Sequence, residues 1–440
     1  MTQSLAIVGS GIAGLGCAYL LANDYRLSIF EKNDYTGGHT NTITLSSAGG
    51  HDATAFDTGF MVFNHVTYPL LTELFRRLDV RTKKTDMSFS VQFLPAAIEW
   101  NGAGLGKVFA QRSNLVSPRF WRMLRRLDWF NKNAPLHLER STLVHQTVKE
   151  YVKEHDLGAD FLNWYLVPMG ASVWSTAPGK MLDFPVAALI RFFHNHGFLG
   201  LDTHYQWYTV DGGAKQYVEK ISAAFSGAIR HKSPVRSVER MAGGGAMLVT
   251  EDGLAEKFDK VILACHADEA LAMLVSPSPA ERELLAPFKY QHNQITVHSD
   301  PAIMPRRKKA WASWNYRVAR AVGLGDSNPG ESDAGASPTL HYWMNSLQGV
   351  GNDVGKNYFV SLNSDDLIDE ALVHRRLTYT HPLFDLATFS AQERLPSLNR
   401  QSVDQSVYFC GSYFKNGFHE DAFRSACELA TTILGREAFA

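Results

Sequence analysis

A glycine-rich turn near the N-terminus constrains the fold of this chain more than any other feature. The apolar run Leu5–Val8 precedes Gly9-Ser10-Gly11-Ile12-Ala13-Gly14, and residues 13–22 have helical composition. In a strand, turn and helix of this kind, the first glycine permits the turn, the second admits a pyrophosphate, and the third lets the helix pack on the strand. The pattern therefore predicts a dinucleotide-binding unit, with a glycine-rich loop that binds nothing as the alternative.

An acidic residue follows at the expected distance. The predicted strand Leu27–Phe30 ends in Glu31, twenty residues after Gly11. A carboxylate at this position typically accepts hydrogen bonds from a ribose diol. Glu31 strengthens the prediction of a dinucleotide site.

Composition excludes several classes of protein. The 440 residues include 43 Lys and Arg against 44 Asp and Glu, so the net charge of −1 argues against a protein that coats nucleic acid. The length suggests two or three domains. The four cysteines lie far apart without a CxxC pair, and no HExxH or clustered carboxylates occur, so we predict no metal site and a reducing, cytoplasmic compartment.

The N-terminal segment 5–22 lacks charged residues, which invites comparison with a membrane span or a signal peptide. No basic region precedes it, and glycines interrupt it in the pattern of the turn described above. We predict neither a span nor a signal peptide. Attachment to a membrane surface stays open as an alternative.

Further motifs follow the turn in a defined order. They are Glu31-Lys32, Tyr35 to Thr40, Phe56 to Phe60, Phe409 to Gly411 and Gly417 to Ala422. This order resembles the flavin amine oxidase superfamily, which also holds phytoene desaturases and protoporphyrinogen oxidases. The resemblance covers most of the chain. It implies an α/β fold in which a Rossmann-like FAD-binding domain of the amine-oxidase type carries an inserted α+β substrate domain.

The same resemblance implies which residues contact FAD. In the family, the glycine doublet lets the chain pass close to the cofactor, and the C-terminal motif opens a helix that points at the flavin. The backbone of Val235 is placed against adenine. Many members have arginine where this chain has His39. The implied cofactor-binding residues are Gly9, Ser10, Gly11, Ile12, Ala13, Gly14, Glu31, Lys32, Gly37, Gly38, His39, Thr40, Thr58, Gly59, Phe60, Val235, Gly411, Ser412, Phe418, His419, Glu420 and Ala422.

A narrower likeness concerns segments outside those motifs. These are Met304 to Arg307, Ala312 to Tyr316, His381-Pro382 and Gly417 to Asp421. They look like a group of bacterial flavoproteins often associated with cyclopropane fatty acid synthases, and a similar region is fused ahead of the synthase in plants. The likeness implies a lipid substrate and a lipid-modifying synthase as partner.

The resemblance also implies a discontinuous FAD-binding domain. We assign residues 1–75, 209–285 and 392–440 to it, and residues 76–208 and 286–391 to the substrate domain. The first insertion is predicted to be mostly helical. The second is predicted to form strands at Gln294–His298, Ala312–Val322 and Thr339–Ser346, with the polar segment Gly325–Ser337 as a hairpin loop.

Two stretches combine basic and aromatic residues. One is Arg119–Leu127, and the other begins at Arg306–Lys309 and continues through Trp311 and Trp314 to Arg320. Such stretches suit the surface of an anionic bilayer. A solvated face with aromatics in the core, or arginines that receive an acidic substrate headgroup, are the alternatives.

The sequence leaves the catalytic residue unknown. His419 is a candidate through its motif, and Trp207 and Tyr342 are candidates because the pairs Trp207-Tyr208 and Tyr342-Trp343 could form an aromatic wall near the substrate. Paired aromatics on strands are more often part of a core. Glu420 has a helix-capping role as its alternative.

These observations favour an FAD-dependent oxidoreductase that takes a hydride from an apolar substrate, such as a fatty acyl chain or another lipid. No second nucleotide fingerprint is present, so oxygen or another acceptor is expected to receive the electrons. The alternatives are an amine or polyamine oxidase, a double-bond isomerase, and a flavin-binding partner of a lipid-modifying synthase.

Overall fold

The structure is a computed structural model that describes residues 2–46, 53–139, 141–200, 203–324, 339–351, 355–402 and 405–439. The predicted hairpin loop Gly325–Ser337 lies outside the described residues. The strands are β1 (Ser4–Val8), β2 (Arg26–Phe30), β3 (Thr42–Ser46), β4 (Ala53–Asp57), β5 (Phe63–Asn64), β6 (Thr82–Thr85), β7 (Phe89–Phe93), β8 (Ile98–Asn101), β9 (Trp207–Val210), β10 (Ala228–Arg230), β11 (Val235–Arg240), β12 (Ala246–Thr250), β13 (Ala255–Phe258), β14 (Lys260–Leu263), β15 (Lys289–His298), β16 (Trp314–Val318), β17 (Thr339–Trp343), β18 (Phe359–Leu362), β19 (Val373–Leu383) and β20 (Val407–Phe409).

The α-helices are α1 (Ile12–Leu21), α2 (Pro69–Arg77), α3 (Leu105–Val108), α4 (Pro118–His137), α5 (Val148–Glu154), α6 (Gly158–Phe161), α7 (Val167–Trp174), α8 (Val186–Asn195), α9 (Lys215–Ala223), α10 (Ala267–Met273), α11 (Pro279–Leu285), α12 (Met344–Leu347), α13 (Leu386–Arg394), α14 (Pro396–Arg400) and α15 (His419–Leu434). A π-helical turn, Leu162–Leu166, links α6 to α7. Within the described residues, no helix has both the length and the apolar character needed to cross a bilayer.

A parallel sheet carries the N-terminal turn. Its strand order is β10-β2-β1-β14-β20. All five residues of β1 are buried, because β2 and β14 flank the strand and α1, which packs against α15, covers it. The predicted strands at 5–8 and 27–30 and the predicted helix at 13–22 are confirmed, with ends shifted by one residue.

A second, mostly antiparallel sheet has the order β19-β15-β18-β17-β16-β7-β8. The prediction for residues 76–208 was incomplete, because β7 and β8 from this segment join the sheet. Phe89, Val91 and Phe93 alternate with Ser90 and Gln92, which is the period of a strand. The strand predicted to end at Ser346 ends at Trp343, where α12 begins.

The parallel sheet determines where the candidate site lies. Strands β1, β2, β14 and β20 end side by side, so the residues that follow them meet at one edge. All five strands of this sheet come from the ranges assigned to the FAD-binding domain, and all strands of the seven-stranded sheet come from the substrate-domain ranges. The boundaries themselves stay a prediction.

Candidate cofactor and active site

The turn between β1 and α1 needs its three glycines for two different reasons. An added Cβ would lie 2.7 Å from the Ala264 carbonyl oxygen at Gly9 and 2.0 Å from the Gly9 carbonyl oxygen at Gly14, so the protein's own packing requires both glycines. Gly11 has an ordinary φ of −67°, and nothing lies within 4 Å of its added Cβ. The space at Gly11 is therefore open, at the helix N-terminus where N–H groups attract an anion.

Glu31 holds this turn to the end of β2. Its Oε2 accepts hydrogen bonds from the Ser10 N–H (3.0 Å) and hydroxyl (2.6 Å), and its Oε1 accepts from the N–H and the side-chain amide of Asn33 (both 2.8 Å). The residue is buried. A carboxylate has about four acceptor sites, so a ribose hydroxyl would have to share or replace one of these contacts.

The glycine doublet lies directly against the first turn. Gly37 and Gly38 have φ of +126° and +59°, and an added Cβ at Gly38 would lie 3.2 Å from the Cα of Gly11. Gly59 is equally constrained, because its added Cβ would lie 2.2 Å from the His39 carbonyl oxygen. The structure thus brings three predicted motifs, separated by up to fifty residues, into one cradle.

Other predicted residues lie around this cradle. The Ser233 N–H donates to the Glu31 carbonyl oxygen (2.9 Å), which places the start of β11 and the buried Val235 beside Glu31. Lys32 is exposed and forms an ion pair with Glu269 (2.6 Å). The Gly411 N–H, just after β20, donates to the Ser425 hydroxyl (2.9 Å) of α15. The other predicted residues lie on or beside the same elements. Ile12 and Ala13 begin α1, Ser412 follows β20, and Ala422 lies in the first turn of α15.

His419 is half-buried at the start of α15. Its Nε2 is hydrogen-bonded to the Thr40 hydroxyl (2.8 Å) and lies 3.2 Å from the Tyr217 hydroxyl. The ring stacks on Phe60 with a centroid separation of 3.9 Å. Burial lowers the pKa of His419 to about 3, so the imidazole is neutral at physiological pH. His419 therefore joins the predicted residues Thr40 and Phe60, and its partners are hydroxyls rather than a carboxylate.

Three half-buried imidazoles form a histidine cluster, which we define as His39, His266 and His381. The ring centroid of His39 lies 5.5 Å from that of His381 and 6.2 Å from that of His266. Burial lowers the pKa of His39, lowers that of His266 to about 4 and lowers that of His381 to about 3. The Nε2 of His39 is buried without a hydrogen-bond partner, whereas the His381 Nδ1 accepts from the Asn293 amide (2.8 Å).

Sequence reasoning missed most of this cluster. Only His39 was predicted, through the doublet, and His381 appeared in the narrower likeness without a role. Tyr379 also lies against His39, with centroids 5.0 Å apart, and its hydroxyl is 2.6 Å from that of the predicted residue Thr58. A histidine two residues after Tyr379 on β19 was the available signal, because residues i and i+2 of a strand share a face.

The predicted aromatic wall is wrong in its pairing. Neighbouring residues of a strand point to opposite faces. On β17, Tyr342 packs perpendicular to Trp314 (5.0 Å), whereas Trp343 packs against Trp311 (5.3 Å). On β9, Trp207 contributes to a cluster with Tyr68 (6.3 Å). Tyr208, in contrast, stacks on His65 (4.1 Å).

The two carboxylates at the start of α15 bind backbone groups. Asp421 accepts from the Phe418 N–H (3.0 Å) and so caps its own helix, and burial raises its pKa to about 7. Glu420 accepts from the Leu70 and Leu71 N–H groups (3.1 and 2.9 Å), so it caps α2 rather than α15.

A cavity of about 600 Å³ opens beside Glu420 and Asp421. Its lining includes Tyr68, Phe192, His196, Phe418, Glu420 and Arg424.

Comparison with known proteins finds a family model that matches more than half of this chain. The family model described as flavin containing amine oxidoreductase matches residues 12–297. The 1-hydroxycarotenoid 3,4-desaturase of Flavobacterium sp. (strain P99-3) is 24% identical over 299 residues, covering 60% of this chain and 56% of that protein. The chain therefore spans only about half the length of the curated relatives it matches.

Solved structures share the fold along the full chain. A putrescine oxidase bound to putrescine aligns with a TM-score of 0.66 at 14% identity, covering 99% of this chain and 100% of that one. A CLA-producing fatty acid isomerase from P. acnes aligns with a TM-score of 0.64 at 13% identity, covering 98% of each chain. At these identities the similarity shows the fold alone.

Proposed function

The chain belongs to the flavin-containing amine oxidoreductase family, and on that premise we propose that it is an FAD-dependent oxidoreductase that removes a hydride from an apolar organic substrate. The proposed substrate class is a fatty acyl chain or another lipid. Oxygen or another acceptor receives the electrons. A lipid-modifying synthase is the proposed partner.

The observation that carries the proposal is the open space at Gly11. The two neighbouring glycines are required by packing, but Gly11 has an ordinary backbone conformation and an empty surrounding. A group that needs close backbone approach at the N-terminus of α1 explains this glycine, and a pyrophosphate is such a group. The buried, unpartnered Nε2 of His39 is a second feature that a bound cofactor would explain.

The residues around the cradle fit FAD. The predicted cofactor-binding residues of the 9–14, 37–40 and 58–60 segments would hold it, with Val235 and the start of α15 at its two ends. Bound FAD supplies the hydride-accepting chemistry. The chain positions the substrate, excludes water, and offers partial positive charge from the α15 N-terminus.

The polarity of the surroundings favours an apolar substrate over an amine. His39, His381 and His419 are half-buried and desolvation lowers their pKa values, so they bring no positive charge. An ammonium group would need a free carboxylate, yet Glu420 and Asp421 are engaged in helix caps. The cavity beside them is large enough for an elongated chain of modest size.

The test is an anaerobic absorbance spectrum of the purified protein before and after addition of membrane lipid extract. Bleaching of an oxidised flavin band near ~450 nm would support transfer of electrons from a lipid. A panel of amines is the parallel arm, and bleaching by an amine alone would favour an amine oxidase. A colourless protein that cannot be reconstituted with FAD would overturn the proposal.

Two further outcomes separate the remaining alternatives. Rearranged lipid without consumption of an acceptor would identify an isomerase, the activity named for the structural neighbour from P. acnes. A flavin that no lipid bleaches, in a protein that co-purifies with a lipid-modifying synthase, would favour the assisting-partner function.

A further inference from the structure

Two basic stretches that are far apart in the sequence meet on one surface, which we call the basic face and define as residues 102–122 and 306–309. Glu99 of β8 joins them. Its carboxylate accepts from the Arg306 N–H (2.9 Å) and from the Arg307 guanidinium (3.0 Å). Its backbone N–H donates to Gln111 (2.8 Å), and its carbonyl accepts from Asn114 (3.1 Å). One buried residue therefore fixes both stretches to the same strand.

The charge of the basic face is strongly one-sided. Its exposed basic residues are Lys107, Arg112, Arg119, Arg122, Arg306, Arg307, Lys308 and Lys309. The sequence has no Asp or Glu between residues 100 and 127 or between 301 and 325. Within the part of the chain that the structure describes, only Arg119 and Arg307 of this set have acidic partners, Asp160 and Glu99. The face concentrates positive charge on a chain whose net charge is −1.

Apolar side chains project from the same face. Leu105 is 75% exposed, Val116 83%, Leu115 49% and Trp121 44%. The Trp121 indole N–H donates to the Leu115 carbonyl oxygen (2.8 Å), which holds the indole beside this turn. Large exposed apolar groups that cluster usually mark an interaction surface.

We propose that the basic face docks the protein onto an anionic lipid bilayer. Lysine and arginine side chains attract the headgroups, while Leu105, Val116 and Trp121 enter the interfacial region. The proposal extends the proposed function, because it locates where an enzyme with a lipid substrate meets the lipid phase. Vesicle binding is measured without turnover, so either proposal can fail alone.

The structure favours a bilayer over the other anionic partners. A small soluble anion would need converging charges in a pocket, but these side chains are spread over an exposed surface. Nucleic acid would gain nothing from exposed leucine and valine. The aromatic residues of the second stretch do follow the core alternative, since Trp311 and Trp314 are half-buried and Tyr316 is buried. That stretch contributes charge alone.

The test is co-sedimentation with vesicles of phosphatidylcholine containing about 30% phosphatidylglycerol, compared with pure phosphatidylcholine. The charge variant is Lys308→Glu/Lys309→Glu, and the apolar variant is Leu105→Ser/Val116→Ser. The matched charge control is Lys257→Glu/Arg400→Glu, which makes the same change in net charge at exposed sites elsewhere. The apolar control is Leu254→Ser/Val275→Ser, whose side chains are 47% and 51% exposed. All four proteins are expected to keep the wild-type flavin spectrum.

The wild type is expected to bind the anionic vesicles and to be released by salt. The charge variant should bind at least about 30-fold more weakly, and the apolar variant about threefold to tenfold more weakly, whereas both controls should bind like the wild type. Equal binding by all five proteins would overturn the proposal. It would also be overturned if the charge variant alone lost affinity and the wild type bound a DNA oligonucleotide as tightly as vesicles, because the face would then be a general polyanion site.

Discussion

The glycine turn after β1 and the histidine cluster border the same candidate site, but the chain builds them in opposite ways. The turn consists of six consecutive residues. Backbone packing constrains Gly9 and Gly14 and leaves an open space at Gly11. The cluster joins residues 39, 266 and 381 through side chains and leaves the buried Nε2 of His39 without a hydrogen-bond partner. The difference teaches that the turn is a local feature of the backbone, whereas the cluster depends on side chains that tertiary packing brings together.

The largest effect is expected from Gly11→Val. The φ of −67° suits valine, and its Cβ meets no protein atom within 4 Å. The fold should therefore be kept, while the side chain fills the space for a pyrophosphate and lowers FAD affinity at least about a hundredfold. The measurement is the ratio of flavin to protein absorbance after gel filtration, together with the thermal midpoint of the flavin-free protein.

The control for this variant is Gly243→Val, at a second glycine whose added Cβ meets nothing. It should leave both flavin content and stability unchanged. If Gly11→Val purified fully yellow, the turn would not be a cofactor cradle and the comparison would lose its first member.

The turn was predictable from sequence because its requirements are local. Glycines at fixed spacing between an apolar run and a helix report backbone geometry directly, and Glu31 follows at a set distance. The cluster was not predictable in this way. His266 comes from the residue before α10 and His381 from β19, and only the packing of two sheets brings them to His39. The capping of α2 by Glu420, 350 residues away, was hidden for the same reason.

The second prediction concerns the neutral character of the cluster. In His39→Arg, a charge that cannot be lost is placed where burial disfavours charge. Without FAD the variant should lose about 3 kcal/mol of unfolding free energy. With FAD, the cofactor phosphates should compensate much of this loss, so FAD should raise the thermal midpoint more than it does in the wild type.

The matched variant is His145→Arg, at an exposed histidine between α4 and α5. It should behave like the wild type with and without FAD. A His39→Arg protein that is as stable as the wild type without FAD would show that desolvation does not disfavour a charge at position 39.

The third prediction uses pH. Histidines in the cluster have folded pKa values below the unfolded value of about 6.5. At a pH between these two values the unfolded chain binds more protons than the folded protein, so acid lowers the free energy of unfolding. For His381 the window runs from about 6.5 down to about 3, with a slope of about 1.4 kcal/mol per pH unit. His381→Asn keeps an acceptor for Asn293 and should remove that slope in denaturant titrations between pH 6 and 4.

Asp421 acts in the opposite sense. Its folded pKa of about 7 lies above its ordinary value, so the stability it contributes is complete at low pH and is lost as pH rises through 7. The pH dependence that Asp421 adds to the free energy of unfolding offsets that of about one histidine of the cluster. The cluster has three histidines, so acid still destabilises the protein. A His381→Asn protein with the wild-type slope would show that His381 is not held neutral by burial.

The smallest expected effect separates the structural part of the site from the cofactor. Glu420→Gln keeps one acceptor oxygen for the N-terminus of α2 but removes the charge that favours the cap and pairs with Arg424 (2.9 Å). Stability should fall by about 1 kcal/mol, whereas FAD affinity should stay within about twofold of the wild type. The control is Glu428→Gln, at an exposed position of the same helix. A fall in FAD affinity with unchanged stability would instead place residue 420 on the cofactor, and the boundary drawn between the two regions would move.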